Sequence, residues 1–494
     1  MTTRNPAAER RADLRWIRAN VAVVSEPGTA LRDRIVPDGH RAAHAPSPHA
    51  QLARALDVAD APLEGLTADL TGLPSVASLS ASLAAALPMD AADLFRMLSF
   101  LVGASAMLDR LGGLSGLPAL DDVPSASEVG AWVLDLAPSR TATRAIVLDR
   151  WAPGLDRARA DARAAREEAV RARAGRVDAL VAVHGVRPSA RGEVVVANDA
   201  PNAAAIEADA TLEVVTRTHR ETIYRLRPTS AEAVAAEARA ELERREADGL
   251  RALSTVFAQR VVALDALERA VARVDVAVAL VRMRRAWDGC WAEPGDALRI
   301  EDARHPRVEE RLRAQGRRFV PITFELGAGP ACIAGPNMGG KSVVLETVLF
   351  AVALAACEVP IPARSCRMPA FDHVAWIGAE SEDQAAGLSS FATEVTALVR
   401  ALHVEGAAGE RTLLLIDEFG RGTNPAEGAA LAQALVDRLA AERRPSVLAT
   451  HFALKIPVCG QAWRIRGLDG VDDADLVPPV DGSEWIDALA GQMD

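Results

Sequence analysis

Lysine is almost missing from this chain. Of 56 basic residues among 494, only Lys341 and Lys455 are lysines, and the other 54 are arginines. Arginine serves wherever a generic positive charge will do, so a surviving lysine suggests a need for a compact ammonium on a flexible stem. Cysteine is scarce too. Cys290, Cys332, Cys357, Cys366 and Cys459 form no CxxC pair and no metal-ligand spacing. That excludes a disulfide framework and reads as reduced thiols, most of them small core residues. Long apolar runs are lacking as well. Met97–Leu108 is too short to span a bilayer and Val343–Cys357 is interrupted by Glu346, so no membrane partner is expected. The opening MTTRNPAAERRADLRW has no apolar leader core and reads as cytoplasmic. Finally, there is no excess of positive charge. The net is −11, with 18 basic and 27 acidic residues from Glu301 onward and 38 and 40 before it. A basic coat for nucleic acid is excluded, although the near-neutral front section can still carry a local basic face.

What is present is half hydrophobic and a quarter charged, a composition that excludes disorder and, at this length, suggests about three domains. Residues 1–150 read as helical core sequence, rich in Ala, Leu and Arg and broken by Pro and Gly. Residues 151–185 hold a long Ala/Arg/Glu helix with charges all round, most simply a solvated face. Residues 186–228 turn β-branched, as in Gly192–Ala197 and Thr211–His219, and Arg220–Leu226 reads as a continuation of the second strand. Thr229 with Glu232 three residues on fits a capping box. It opens a second helical run from Ser230 to about Trp287, within a returning segment 229–300. Residues 301–468 alternate strand and helix, which implies a mostly parallel sheet with helices on its faces. Residues 469–494 form an acidic tail.

Gly335-Pro336-Asn337-Met338-Gly339-Gly340-Lys341-Ser342 follows a short apolar strand, Pro330–Ala334, and opens an apolar helix. In that setting glycines let backbone N–H groups close around phosphate oxygens at a helix N-terminus. Lys341 reaches the β- and γ-phosphates, and the Ser342 hydroxyl ligates Mg²⁺. Leu413–Ile416 ends in Asp417 and Glu418, 76 and 77 residues after Lys341. Asp417 is placed to hold the magnesium and Glu418 to polarise the water that attacks the γ-phosphate. His451, 34 residues after Asp417, closes a further strand, Ser446–Thr450, as a γ-phosphate sensor. The chemistry is ATP hydrolysis.

These motifs resemble the MutS family, whose ATPase domain is of the ABC class. The resemblance rests on GPNMGGKS at 335–342, LLLIDEFGRGTNPAEG at 413–428 and ATH at 449–451, with looser matches in ARHP at 303–306 and LSSFATE at 388–394. It implies a multidomain α and α/β protein in which long-helix levers carry a small β-rich clamp ahead of a P-loop ATPase domain. It makes Asn337 a phosphate contact and Phe319 an adenine-stacking ring. Ser389 and Ser390 become signature serines aimed at the nucleotide of an opposite subunit, and Arg421 and Thr423 part of the loop crossing the dimer interface. Glu427 stands where the family usually has Asp.

Two functions follow from the resemblance. The first is a dimeric ATP-gated clamp on duplex or branched DNA, as a homodimer or paired with a second MutS-like subunit. The second is a protein-remodelling ATPase with a client enzyme and no DNA, similar to reactivases proposed for adenosylcobalamin-dependent lysine or ornithine aminomutases. No mismatch-reading segment and no C-terminal dimerising helix-turn-helix is recognisable. The stretch Arg187–Arg227 has six arginines against six acids, which favours the second, while the broad description of the family places the DNA clamp first.

Overall fold

Proline and glycine mark most of the breaks between the helices described up to residue 136: Leu14–Asn20, Glu26–Arg32, Pro48–Val58, Leu63–Leu70, Ala77–Ala84, Ala91–Gly112 and Ala126–Leu136. Ser25 and Ser47 cap two of them, each accepting a backbone N–H, and both helices carry proline in the first turn. The computed structural model describes residues 12–38, 45–141, 146–189, 192–335, 340–378, 390–403, 411–420, 423–465 and 476–477. Ala91–Gly112 has 22 residues and is long and apolar enough by length and composition to cross a membrane, longer than the apolar run seen in the sequence. Half of it is buried, with Met97, Leu98, Phe100, Leu101 and Ala104 inaccessible. That placement is a core helix.

By internal contacts the chain divides into two compact units. One comprises 76–102 and 127–265, the other 1–75, 103–126 and 266–494. In the first, Leu155–His184 packs along Ser230–Ala258, and the chain that links them forms a small sheet. Its strands are β1 (Glu193–Ala197), β2 (Leu212–Arg217) and β3 (Glu221–Leu226), in the order β1-β3-β2 and antiparallel throughout. The segment expected to prolong β2 instead turns back as β3. Thr218 makes the reversal, its hydroxyl accepting from the N–H groups of Arg220 and Glu221. A short helix, Ala203–Glu207, and the buried residues Leu180, Val194, Ile206, Leu212 and Tyr224 complete this module. The Thr229–Glu232 capping box is present, at 2.7 and 3.0 Å. The run expected from Ser230 to Trp287 is two helices, because it breaks at Gln259 and Arg260. There the Arg260 guanidinium covers the Phe257 and Trp132 rings and pairs with Asp135 at 2.9 Å.

The second unit carries two sheets built from β4 (Glu293–Pro294), β5 (Leu298–Ala303), β6 (Ile322–Leu326), β7 (Pro330–Ala334), β8 (Ser365–Met368), β9 (His373–Ile377), β10 (Thr412–Asp417), β11 (Ser446–Thr450), β12 (Gln461–Ile465) and β13 (Leu476–Val477). The larger has the order β13-β12-β7-β11-β10-β9, with five parallel strands and β13 antiparallel at one edge. The smaller has the order β4-β8-β5-β6. Strands β7, β9 and β11 are buried along their whole length, as expected of a parallel sheet covered on both faces. One face packs Cys332, Ile377, Leu414, Ile416 and Leu448 against helices Ser390–Leu402 and Pro425–Ala441. The helix Lys341–Ala356, apolar all round, contacts β10 and β11.

His305, from the ARHP stretch, is 6% exposed and stacks on Phe350 of that helix at 4.4 Å. Burial pushes its imidazole down to about 4, helped by the nearby guanidinium groups of Arg307 and Arg311. A histidine depressed on folding stabilises the protein fully above its usual value near 6.5, and that contribution is lost as pH falls from there towards 4. We expect roughly 3 kcal/mol to disappear across that window, at about 1.4 kcal/mol for each pH unit. Denaturant midpoints measured from pH 7.5 to 4.5 should show a shallower acid decline in His305→Phe than in the unmodified chain. Asp275 and Glu394, whose carboxyls burial raises, act in the opposite sense in both proteins and cancel in the comparison.

Candidate active site

Three adjacent strands end together. Strand register pairs Ala334 of β7 with Thr450 of β11, and Ala449 of β11 with Asp417 of β10. Gly335, His451 and the Asp417-Glu418 pair therefore leave the carboxyl edge side by side. At about 4.8 Å per strand spacing, Gly335 and Asp417 stand about 10 Å apart with the β11 end between them. This is where open α/β sheets bind ligands.

The cradle is made for close approach. A Cβ on Gly335 would lie 3.1 Å from the Ile465 carbonyl oxygen, and Gly340 opens the helix Lys341–Ala356 at φ 97°. Only glycine adopts that conformation without strain. Lys341 is 4% exposed. Its ammonium donates to the Gly335 carbonyl at 2.8 Å and lies 3.3 Å from Glu418 Oε1. The Ser342 hydroxyl donates to Asp417 Oδ1 at 3.1 Å. The two residues expected to share a magnesium ion thus touch, as do the expected phosphate-binding cation and the expected base.

Glu418 has φ 52°, and its N–H donates to the Ala449 carbonyl at 3.0 Å. The chain reverses sharply there and ties the carboxylate to the end of β11. His451 is exposed and lies beside Phe452, with ring centroids 4.2 Å apart. Thr450 shapes that turn by accepting the Phe452 N–H at 3.0 Å. Phe319 is 7% exposed among the core residues, so little of its ring face is open to a base. Thr423 donates to Glu427 at 3.1 Å, and Asn424 caps the helix Pro425–Ala441. Ser390 is the first residue of the helix Ser390–Leu402. Pro336, Asn337, Met338, Gly339, Ser389 and Arg421 lie outside the described residues.

One residue of the site had no role in the sequence reading. Glu394 is 4% exposed and accepts the Gly420 N–H at 3.2 Å. The signal was its spacing, because Glu394, Leu398 and Ala401 fall on one helix face at i, i+4 and i+7. An acid on the buried face of an otherwise amphipathic helix needs a partner.

The family model described as MutS domain V matches residues 331–461. The DNA mismatch repair protein MutS of Granulibacter bethesdensis is 36% identical over 194 residues, covering 38% of this chain and 20% of that protein. The DNA mismatch repair protein MutS of Thermus thermophilus is 34% identical over 220 residues, covering 44% and 26%. That of Natronomonas pharaonis is 36% identical over 223 residues, covering 42% and 25%. The matched part of the chain thus spans between a fifth and about a quarter of the length of these curated relatives. The segment that carries the P-loop helix, the Asp417-Glu418 strand end and the His451 turn is the matched one, and over residues 331–461 it is similar to MutS domain V.

Proposed function

We propose that the chain binds and hydrolyses ATP with Mg²⁺ at this edge, and that in a dimer it acts as an ATP-gated clamp on DNA. The observation that carries the ATPase reading is the double contact of the P-loop with the β10 end, Ser342 to Asp417 and Lys341 to Glu418. A hydroxyl and a carboxylate oxygen side by side fit a hard divalent cation. Ser342 and Asp417 would hold Mg²⁺, which when bound offsets the charge of the β- and γ-phosphates. The ammonium of Lys341, now on Gly335 and Glu418, would turn to the phosphates. Glu418, released from that pair, would take the proton of the attacking water. His451 would hydrogen-bond the γ-phosphate.

In the dimer, Ser389 and Ser390 would complete the site of a partner, either a second copy or a MutS-like subunit. The helices Leu155–His184 and Ser230–Ala258 are the candidate levers, and β1 to β3 the candidate clamp. DNA as the target rests on the relatives, which are named as DNA mismatch repair proteins.

A specific observation favours the second reading, a protein-remodelling ATPase acting on a client enzyme. Arginines of the lever helix and the small sheet are engaged with acids of their own module. Arg225 pairs with Glu193 at 2.7 Å, Arg173 with Glu232 at 2.8 Å, Arg171 with Glu168 at 2.7 Å, and Arg217 with Glu207. Each phosphate contact by one of these would have to displace an internal partner. If the clamp grips DNA, duplex, mismatched or branched DNA should raise ATP turnover several-fold at low salt, and the effect should fall steeply as salt rises. Turnover unchanged by all three DNA forms at low salt would remove DNA as the target and leave the client enzyme.

A further inference from the structure

We propose that Glu394 is a positioning residue for Glu418, which it serves by fixing the Gly420 turn and so linking the helix Ser390–Leu402 to the catalytic carboxylate. This inference rests on the ATPase reading of the site.

The connection from β10 to the helix Pro425–Ala441 holds two left-handed residues within three positions, Glu418 at φ 52° and Gly420 at φ 86°. A non-glycine residue in that region is strained and needs surrounding contacts to hold it. Backbone contacts on both sides supply this. The Glu418 N–H is taken by the Ala449 carbonyl at 3.0 Å, and the Gly420 N–H by Glu394 Oε2 at 3.2 Å. The turn is also wedged from behind, since a Cβ on Gly420 would meet the Gly428 Cα at 3.2 Å. Gly420 is buried, so without Glu394 its N–H would lose its acceptor where water does not reach, and the turn would be free to relax. Glu418 lies only two residues away, and its carboxylate would relax with it.

Glu394 is four residues into its helix, about 6 Å along the axis from the first residue at 1.5 Å per residue. A shift of that helix end would therefore reach the Gly420 turn through a single hydrogen bond. Burial raises the Glu394 carboxyl above its usual range, so a neutral side chain that still offers an oxygen should serve in its place.

The test uses the full chain with three substitutions. Glu394→Gln keeps an oxygen at the same reach, Glu394→Met keeps the volume and removes the acceptor, and Glu394→Asp keeps the charge on a shorter arm. We expect Glu394→Gln to retain kcat. Met and Asp should each lower kcat about ten- to hundred-fold, the scale of a slightly misplaced catalytic group, with KM for ATP and the thermal midpoint little changed. In the nucleotide-free protein, exchange of the Gly420 amide should stay slow in the Gln variant and speed up at least tenfold in Met and Asp. That amide readout is independent of turnover, so it separates failure of the link from failure of the ATPase reading. The proposal is overturned if Gln is as damaging as Met, if Met leaves kcat unchanged, or if Gly420 exchange is alike in all three. Should Met fail to fold, the Gln and Asp pair decides between the same outcomes.

Discussion

Glu418→Gln is expected to lower ATP turnover about 10²- to 10⁴-fold, the contribution of a positioned general base, while ATP stays bound. That is about 3–5 kcal/mol of barrier. Glutamine matches glutamate in size and leaves the left-handed turn and the Glu418 N–H bond to Ala449 in place. What it removes is the group that accepts the proton. A second effect separates this account from a merely structural role for Glu418. Glu418 lies 3.3 Å from Lys341, both largely withdrawn from solvent at 17% and 3% side-chain exposure. Phosphates must compete with that carboxylate for the ammonium. Removing its charge should tighten ATP binding at the same time as it stops turnover. Phosphate release and titration with a fluorescent ATP analogue measure the two. Wild-type turnover in the variant would show that another group is the base, and weaker ATP binding would show that the Lys341–Glu418 pair assists the nucleotide instead of competing with it.

Lys341 carries the second large effect. Lys341→Ala should weaken ATP binding about ten- to hundred-fold, from the roughly 1.5–3 kcal/mol of a hydrogen bond to a charged group, and should abolish turnover. The more telling variant is Lys341→Arg. This chain uses arginine 54 times and lysine twice, so an arginine tolerated at 341 would be unremarkable by composition. The site argues otherwise. The ammonium sits in a nearly closed space, 2.8 Å from one carbonyl and 3.3 Å from one carboxylate, and a planar five-donor guanidinium cannot reproduce that point contact. Lys341→Arg is expected to be as inactive as Lys341→Ala. Lys455 supplies the control. It is exposed, and its backbone meets Gln433 twice, the N–H donating at 2.7 Å and the carbonyl accepting at 2.9 Å. Lys455→Arg should leave activity intact and change stability by no more than about 0.5 kcal/mol. An active Lys341→Arg would mean that this lysine is compositional chance.

Chemistry with a strict local pattern was legible in the chain. Strand, glycine turn and lysine must be contiguous to form a phosphate cradle, so β7 and the helix after it were readable as one unit. Apolar run and paired acids must likewise be contiguous, and β10 followed from them. The capping box at Thr229 was equally local. What escaped notice depends on partners distant in sequence. Strands β4, β5, β6 and β8 form a second sheet whose longer segments do alternate but run for only four to six residues, and their pairing is decided by neighbours up to about seventy residues away. The helix break at Gln259 and Arg260 has no proline or glycine to announce it. It is held by Trp132 and Asp135, more than a hundred residues earlier. The reversal into β3 was missed because Thr218 does with a hydroxyl what glycine usually does with its backbone. In the site, Ser342, Asp417, Lys341 and Glu418 could be named from the sequence, but their pairing could not. Glu394 was visible only as an acid on a buried helix face, and its partner, the Gly420 amide, is a backbone group with no side-chain signature.

The carboxyl edge of β7, β11 and β10 is proposed to be a magnesium-dependent ATPase centre with Glu418 as its base. The most direct measurement is release of inorganic phosphate from ATP by the full chain, with Mg²⁺ and with a chelator, in the unmodified protein and in Glu418→Gln. The account predicts repeated turnover by the unmodified protein only with Mg²⁺, and ATP retained but not hydrolysed by the variant. Turnover that persists with the chelator, or in the variant at the unmodified rate, would contradict it.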